Sequence, residues 1–244
     1  MKKILLIFVI LVSLTLLSAC GNQHDPRRML IKQYDQYLEN DILDQDNFDY
    51  FVNQVSNFTI PGTVVVKAVA RDTLNQVRDV REGTGFVYAI YENSLRVVTS
   101  LETVKLRDES WTLTVEIIDF ANRSYDALVL NRSEEYNLAK IKFDTNVAIS
   151  KIRKIDVSIY EPMDQEPLMM ISNYQLSRNS MIMGFLMSKN EETDIYVTDI
   201  PADEYALGGA VINTSRQVIG MVIDVEDGFA HLLGIQKLRE YLRL

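Results

Sequence analysis

The sequence predicts a mostly β fold, a sandwich or barrel of short strands, with a helical segment ahead of it and a closing helix behind it. Three observations point there. From Thr63 onward, short β-rich runs recur at spacings of about 10 to 15 residues, with polar or acidic turns between them. Apolar residues at helical spacing occur only outside that stretch, near residue 30 and at the C-terminus. The hydrophobic fraction, 47% of 244 residues, is enough for a substantial core.

Taken in order, the chain opens with Lys2 and Lys3, an apolar run from Ile4 to Leu17 broken by Ser13 and Thr15, and then Leu17-Ser18-Ala19-Cys20-Gly21. A basic start, an apolar middle and small residues at the cut make residues 1–19 a secretory signal. The run is short of the roughly 20 apolar residues that a membrane span needs. Residues 21–28, with Pro26, read as a polar tether. Leu30, Ile31, Tyr34, Tyr37 and Leu38 give an amphipathic helix from Arg27 to about Tyr37. The acidic and aromatic stretch 41–58 reads as a second helix or a loop, and Pro61-Gly62 punctuates.

Strands are expected at Thr63–Val69, Gly85–Tyr91, Leu95–Thr99, Trp111–Ile118, Ala127–Leu130, Leu138–Phe143, Val157–Tyr160, Met181–Met187, Asp194–Thr198, Ala210–Ile212 and Gln217–Ile223. Residues 144–156 lack a strand pattern and are the expected connection between two halves. Ile235, Leu238, Tyr241 and Leu242 predict the closing helix over Gly234–Leu244. The organisation expected is therefore a signal at 1–19, a tether and helical segment at 20–58, one half at 60–150 and a second at 151–244.

Composition limits the chemistry. Cys20 is the single cysteine, so an intrachain disulfide and a Cys-rich metal site are excluded. The formal net charge is −9, and Lys2 and Lys3 of the leader are among the 25 basic residues, so the rest of the chain is more acidic still. Such a surface disfavours nucleic acid and anionic lipid as partners. Asn57-Phe58-Thr59 and Asn122-Arg123-Ser124 match glycosylation sequons by chance. Nothing in the sequence calls for a cofactor. Asp199, Asp203 and Glu204 form an acidic cluster without the Gly turn and ligand spacing of a calcium loop, which reads as solvated. Met163, Met169, Met170, Met181, Met183 and Met187 crowd one half, and core packing is the expected use, with an adaptable binding surface as the alternative.

Two resemblances carry these readings further. Leu17-Ser18-Ala19-Cys20 is similar to the lipobox of bacterial lipoproteins. It implies cleavage before Cys20 and lipid on its thiol, so that the chain is anchored in the bilayer on the extracytoplasmic face of the cell membrane; two or three acyl chains hold well where one holds weakly. Separately, Gly83-Thr84-Gly85-Phe86-Val87, Arg96-Val97-Val98-Thr99-Ser100-Leu101-Glu102-Thr103-Val104, Tyr136-Asn137-Leu138-Ala139-Lys140-Ile141-Lys142, Leu207-Gly208-Gly209-Ala210-Val211-Ile212-Asn213, Val218-Ile219-Gly220-Met221-Val222 and Gly228-Phe229-Ala230 occur in that order. Together they resemble the trypsin-like serine proteases, above all the bacterial HtrA (Deg) branch, over roughly residues 60–243. That resemblance implies two antiparallel six-stranded β-barrels.

The same resemblance implies lost catalysis. The family's mechanism uses a serine nucleophile, a histidine base, an aspartate that orients it, and backbone amides for the oxyanion. The matching positions hold Leu207, Glu102 and Asn137. Leu207 has no nucleophilic atom. Ser100 and Ser215 have no neighbouring base in sequence, and the histidines are His24 in the tether and His231 after Gly228-Phe229-Ala230. Tyr205 stands where the family has the oxyanion-loop glycine, while Gly208 and Gly209 persist as a tight turn.

The function expected is a membrane-anchored, catalytically inactive trypsin-like domain that binds a peptide or protein partner, for which a groove between barrels offers strand addition. An active endopeptidase with a displaced triad, a subunit of an envelope assembly and a solute-binding lipoprotein are the alternatives. With the closing helix at Leu244, no PDZ domain is expected.

Overall fold

The structure is a computed structural model that describes residues 45–244 apart from 164–165. The signal, Cys20, His24 and the helix expected at Arg27–Tyr37 lie outside the described residues.

Helix α1 (Gln45–Gln54) continues through a wide π-turn (Val55–Thr59) and a tight turn at Ile60–Gly62 into the sheets. Of the stretch 41–58, open between helix and loop, the described residues 45–58 are helical. The first body holds β1 (Thr63–Arg71), β2 (Val77–Tyr91), β3 (Ser94–Ser100), the helical turn α2 (Leu101–Val104), β4 (Thr112–Ile118), β5 (Ser124–Ser133) and β6 (Leu138–Asp144). Its six strands close into an antiparallel barrel in the order β1-β2-β3-β6-β5-β4, with β4 returning to β1. The interior is filled by Val66, Val87, Leu95, Val97, Ile117, Ile141 and Phe143. In β5 and β6 inward positions alternate with more exposed ones, which fixes the face that turns inward, whereas parts of β1, β2 and β3 are buried on both faces.

After the helical turn α3 (Val147–Ser150), the second body holds β7 (Leu168–Ser172), β8 (Ser180–Gly184), β9 (Leu186–Asn190), β10 (Ile195–Pro201), β11 (Ala210–Ile212), β12 (Val218–Glu226) and β13 (Phe229–Gly234), followed by helix α4 (Ile235–Leu242). The strands form one seven-stranded sheet in the order β8-β7-β11-β12-β13-β10-β9. Its two edges, β8 and β9, are successive stretches of chain separated by Phe185 alone. The sheet therefore curls until one bent strand serves both edges. The bend is held where the Asp199 carboxylate accepts from the Phe185 N–H at 2.6 Å and the Asp199 N–H donates to the Phe185 carbonyl at 3.2 Å. Mostly β with a double barrel is the architecture expected, the second barrel closing through a bend rather than through a complete ladder.

Both faces of the second sheet are buried. Leu168, Met170, Ile182, Val211 and Leu232 point into its interior. Met169, Ile171, Met181, Met183, Ala210 and Ile212 point outward, into a third cluster shared with Phe48, Phe51 and Val55 near α1, Phe86 and Val98 of the first barrel, and Leu238 and Leu242 of α4. This cluster joins the two barrels. It explains a strand absent from the sequence reading: β7 is apolar at successive positions because neighbours cover both faces, so no alternation marks it. It also assigns the methionines, four of which are core, whereas Met163 and Met187 are exposed. Val157–Tyr160, expected as a strand, makes a single bridge from Val157 to Val218 and otherwise caps its own turn through the Ser158 hydroxyl.

Candidate active-site cleft

Glu102, Asn137 and Leu207, the residues matched to the family's triad in sequence, are placed by three local devices. Ser100 ends β3 and caps α2, its hydroxyl accepting from the Glu102 N–H at 3.2 Å, which sets Glu102 on the first turn. Ser100 is thereby buried and its oxygen is engaged by the backbone. Asn137 lies in the turn before β6 with φ of 51°, a left-handed conformation that asparagine tolerates better than most residues. Its carbonyl accepts from the Leu101 N–H at 3.0 Å, so the backbones at positions 102 and 137 are neighbours. The Asn137 side chain, however, donates to the Ile223 carbonyl of the second barrel at 3.0 Å. Leu207 follows a tight turn at Glu204–Ala206, and its carbonyl accepts from the Thr84 N–H at 2.8 Å.

Glu102 and Leu207 line one cavity of about 200 Å³ at the seam between the barrels, with Asp79, Arg81, Glu82, Thr103, Arg107 and Tyr205 also on its wall. Charged side chains cross it. Arg81 donates to the Glu102 carbonyl. Arg81 and Arg107 both pair with Asp79, at 2.7 and 3.5 Å. The Glu102 carboxylate faces Lys105 at 3.7 Å, with both side chains about half exposed. A surface pair of that kind stabilises by under about 1 kcal/mol.

The loop that would supply an oxyanion hole is bonded inward. The Tyr205 N–H donates to the Asp203 carboxylate at 3.1 Å, and the Leu207 N–H to the Glu204 carbonyl at 3.4 Å. The second Asp203 oxygen accepts from the Gln175 N–H at 2.7 Å. Asp199 and Glu204 are exposed and Asp203 is half-buried, but Asp203 and Asp199 also build turns, and Glu204 raises the Tyr205 phenol above its ordinary value through its negative charge. Among the described residues no group of acidic or histidine side chains is arranged to hold a metal ion. His231 sits on β13 with the Glu226 carboxylate 3.6 Å away across the hairpin, and Ser215 lies in the turn between β11 and β12.

Gly208 and Gly209 are demanded by space. Gly208 has φ of 87°, and a Cβ there would lie 1.9 Å from the Thr84 carbonyl oxygen. A Cβ on Gly209 would lie 2.8 Å from the Ala206 carbonyl oxygen.

Sequence reasoning overlooked Thr84. Besides its N–H, its hydroxyl donates to the Tyr205 carbonyl at 3.1 Å and accepts from the Asn173 N–H at 2.9 Å, and its carbonyl accepts from the Thr99 hydroxyl at 2.6 Å. One threonine thus latches the turn of the second barrel to the first. Its place between two glycines was the only local hint.

By sequence, neither a protein family nor a curated protein matches the chain. By structure, it is similar to the serine endoprotease from Yersinia pestis, with a TM-score of 0.64 at 16% identity, over 79% of this chain and 65% of that one. The chain therefore spans a little under two thirds of that protein's length, and the likeness shows a shared trypsin-like double-barrel fold.

Proposed function

We propose that this chain is a membrane-anchored lipoprotein whose trypsin-like domain is catalytically inactive and holds a peptide or protein partner outside the cytoplasmic membrane. One observation carries the reading. The position that matches the family's nucleophile is Leu207, on a turn whose amides at 205 and 207 are bonded to Asp203 and Glu204. Acyl transfer needs a nucleophile, a base and free N–H donors aimed at the developing oxyanion. Leucine supplies no nucleophile, and amides that already have partners are not free to stabilise a new charge. Restoring the three side chains would leave the turn unchanged, so the loss rests on backbone as well as on side chains.

Anchoring is supported by Leu17-Ser18-Ala19-Cys20 behind an apolar leader. Among the described residues no helix is long and apolar enough to cross a membrane.

The test is to incubate the folded full chain in detergent with a fluorophosphonate serine probe and with unfolded casein. The expected result is neither labelling nor cleavage, in the wild-type chain and equally in Leu207→Ser. Labelling abolished by changing one serine to alanine would overturn the inactive reading and identify a nucleophile elsewhere. For the anchor, Cys20→Ser is expected to move the protein out of the membrane fraction, and retention there would refute lipidation at Cys20.

A further inference from the structure

We infer that the partner docks away from the former catalytic cleft, at a paired cation and apolar site behind α1, and that it presents an acidic segment bearing an aromatic or large aliphatic side chain. This rests on the reading of the chain as a binding module, though not on its inactivity.

The cationic half is built around Phe58 in the π-turn after α1. The Arg153 guanidinium lies 5.0 Å from the ring centroid and the Arg216 guanidinium 5.1 Å. Phe58, Arg153 and Arg216 line a cavity of about 270 Å³ with Lys154, Asp156, Ser215 and Gln217. Asp156 is taken by Lys154 at 2.7 Å. Neither Arg153 nor Arg216 has a carboxylate partner among the described residues, in a chain of 34 acidic and 25 basic residues. Two guanidinium charges near one ring and without a carboxylate partner among the described residues favour an anion beside them. Guanidinium on an aromatic face also keeps its N–H edge free for bidentate bonding to a carboxylate.

Both arginines are held in place by backbone. The Arg153 N–H donates to the Pro61 carbonyl at 3.1 Å, and the Arg216 N–H to the Asn213 carbonyl at 2.8 Å. Arg216 keeps a left-handed φ of 63°.

The apolar half adjoins it. A cavity of about 520 Å³ is lined by Tyr50, Phe51, Gln54, Pro167, Met183 and Thr214, and it shares Ser215 and Arg216 with the cationic one. A free inorganic anion would leave this larger cavity empty. A segment with a bulky apolar side chain next to carboxylates fills both, and a concave site of this kind suits a chain better than the flat face of a bilayer. The cleft offers less, since its cavity is smaller and its arginines are paired with Asp79.

The test measures fluorescence anisotropy of labelled peptides with the full chain in neutral detergent. The probe is a hexapeptide of glutamates around one phenylalanine; the controls replace the glutamates by lysine or the phenylalanine by glycine. Saturable binding of the acidic aromatic peptide is expected, weakened about tenfold or more in each control and in Arg153→Ala and Arg216→Ala. Raising salt from about 50 to about 300 mM should weaken it further. Phe58→Leu, which keeps an apolar residue and removes the ring, should act in the same direction, while Glu102→Gln in the cleft should leave binding unchanged. Affinity indifferent to the arginine variants, or no saturable binding, overturns the proposal. Binding of phosphatidylglycerol vesicles that is lost in the arginine variants, with none of the peptide, overturns it in favour of a lipid surface. Tighter binding of a peptide copying residues 35–44 of this chain overturns it in favour of the chain's own acidic segment. Mass spectrometry of the recovered probe separates the two readings: a cut peptide refutes inactivity, whereas the arginine dependence judges the site.

Discussion

The two barrels reach the same shape by different means. The first closes by backbone hydrogen bonds all the way round, from β1 through β2, β3, β6 and β5 to β4 and back to β1. Its interior is packed with branched and aromatic side chains such as Val97, Ile141 and Phe143. The second closes at a bend, where Asp199 ties down Phe185, and it relies on the cluster outside its sheet as much as on the interior. A ring of main-chain bonds depends little on any one side chain. A curled sheet with both faces covered depends on its neighbours, and the turn carrying Leu207 belongs to that second kind of structure. The seam itself is secured by the Thr84 N–H and hydroxyl, by the close approach of Gly208 to the Thr84 carbonyl, and by the Asn137 side chain on the Ile223 carbonyl.

The sharpest way to break this picture is at the seam. Gly208→Val should cost more than about 4 kcal/mol and give little folded protein, since its side chain meets the Thr84 carbonyl and its backbone needs a positive φ. Urea unfolding or soluble yield checks it, and a stable variant would mean that the barrels do not need this close approach. Next come the carboxylates that hold one turn in each barrel. Asp119, buried in the β4–β5 hairpin, accepts from the Ala121 and Arg123 N–H groups, from Tyr125 at 3.0 Å and from the Arg123 guanidinium at 2.8 Å. Asp119→Ala should destabilise by about 3 kcal/mol, because four donors lose one buried, charged acceptor. Asp199 is exposed and bonds one N–H at the bend, so Asp199→Ala should cost about 1 kcal/mol. Hydrogen exchange should show that loss confined to β8, β9 and β10. Exchange that quickens equally in the first barrel would show that the two bodies unfold together.

The smallest expected effect is a pH slope from the second barrel. Asp194 is 4% exposed, and burial raises its carboxyl above the ordinary value although the Lys237 N–H bonds one oxygen at 2.8 Å. A carboxyl with a raised pKa in the folded state binds its proton more tightly there than in the unfolded chain. Its contribution is therefore favourable at low pH and is lost as pH rises from about 4 through the raised value. Asp194→Asn should flatten that fall in melting temperature between about pH 4 and pH 7. An unchanged slope would assign the pH dependence to other groups.

The first barrel was largely legible in sequence, since Val66 and Ala68 of β1 and Ala139, Ile141 and Phe143 of β6 are buried and separated by the less buried Lys67, Lys140 and Lys142. The second was less so. Leu168–Ser172 is buried at every position, and Met181–Met187, expected as one strand, is two strands divided at Phe185. Glu102, Asn137 and Leu207 could be matched to the family's triad positions because each falls inside a recognisable local run. The Arg153, Phe58 and Arg216 cluster could not, because its members lie far apart in the chain and each alone is an ordinary surface residue.

The sequence by itself determined the β-rich character, the helix at the C-terminus, the acidic balance and the side-chain types at Leu207, Glu102 and Asn137. Those are properties of side-chain type and of periodicity within about a dozen residues, which local sterics and amphipathicity control. Tertiary structure decided the rest: Thr84 bonding Tyr205 across 121 residues, Asn137 reaching Ile223 across 86, and a sheet closed by a bend. Such contacts depend on how two apolar bodies dock over a shared cluster, and the free energy of that docking is spread over residues whose sequence neighbours carry no sign of it.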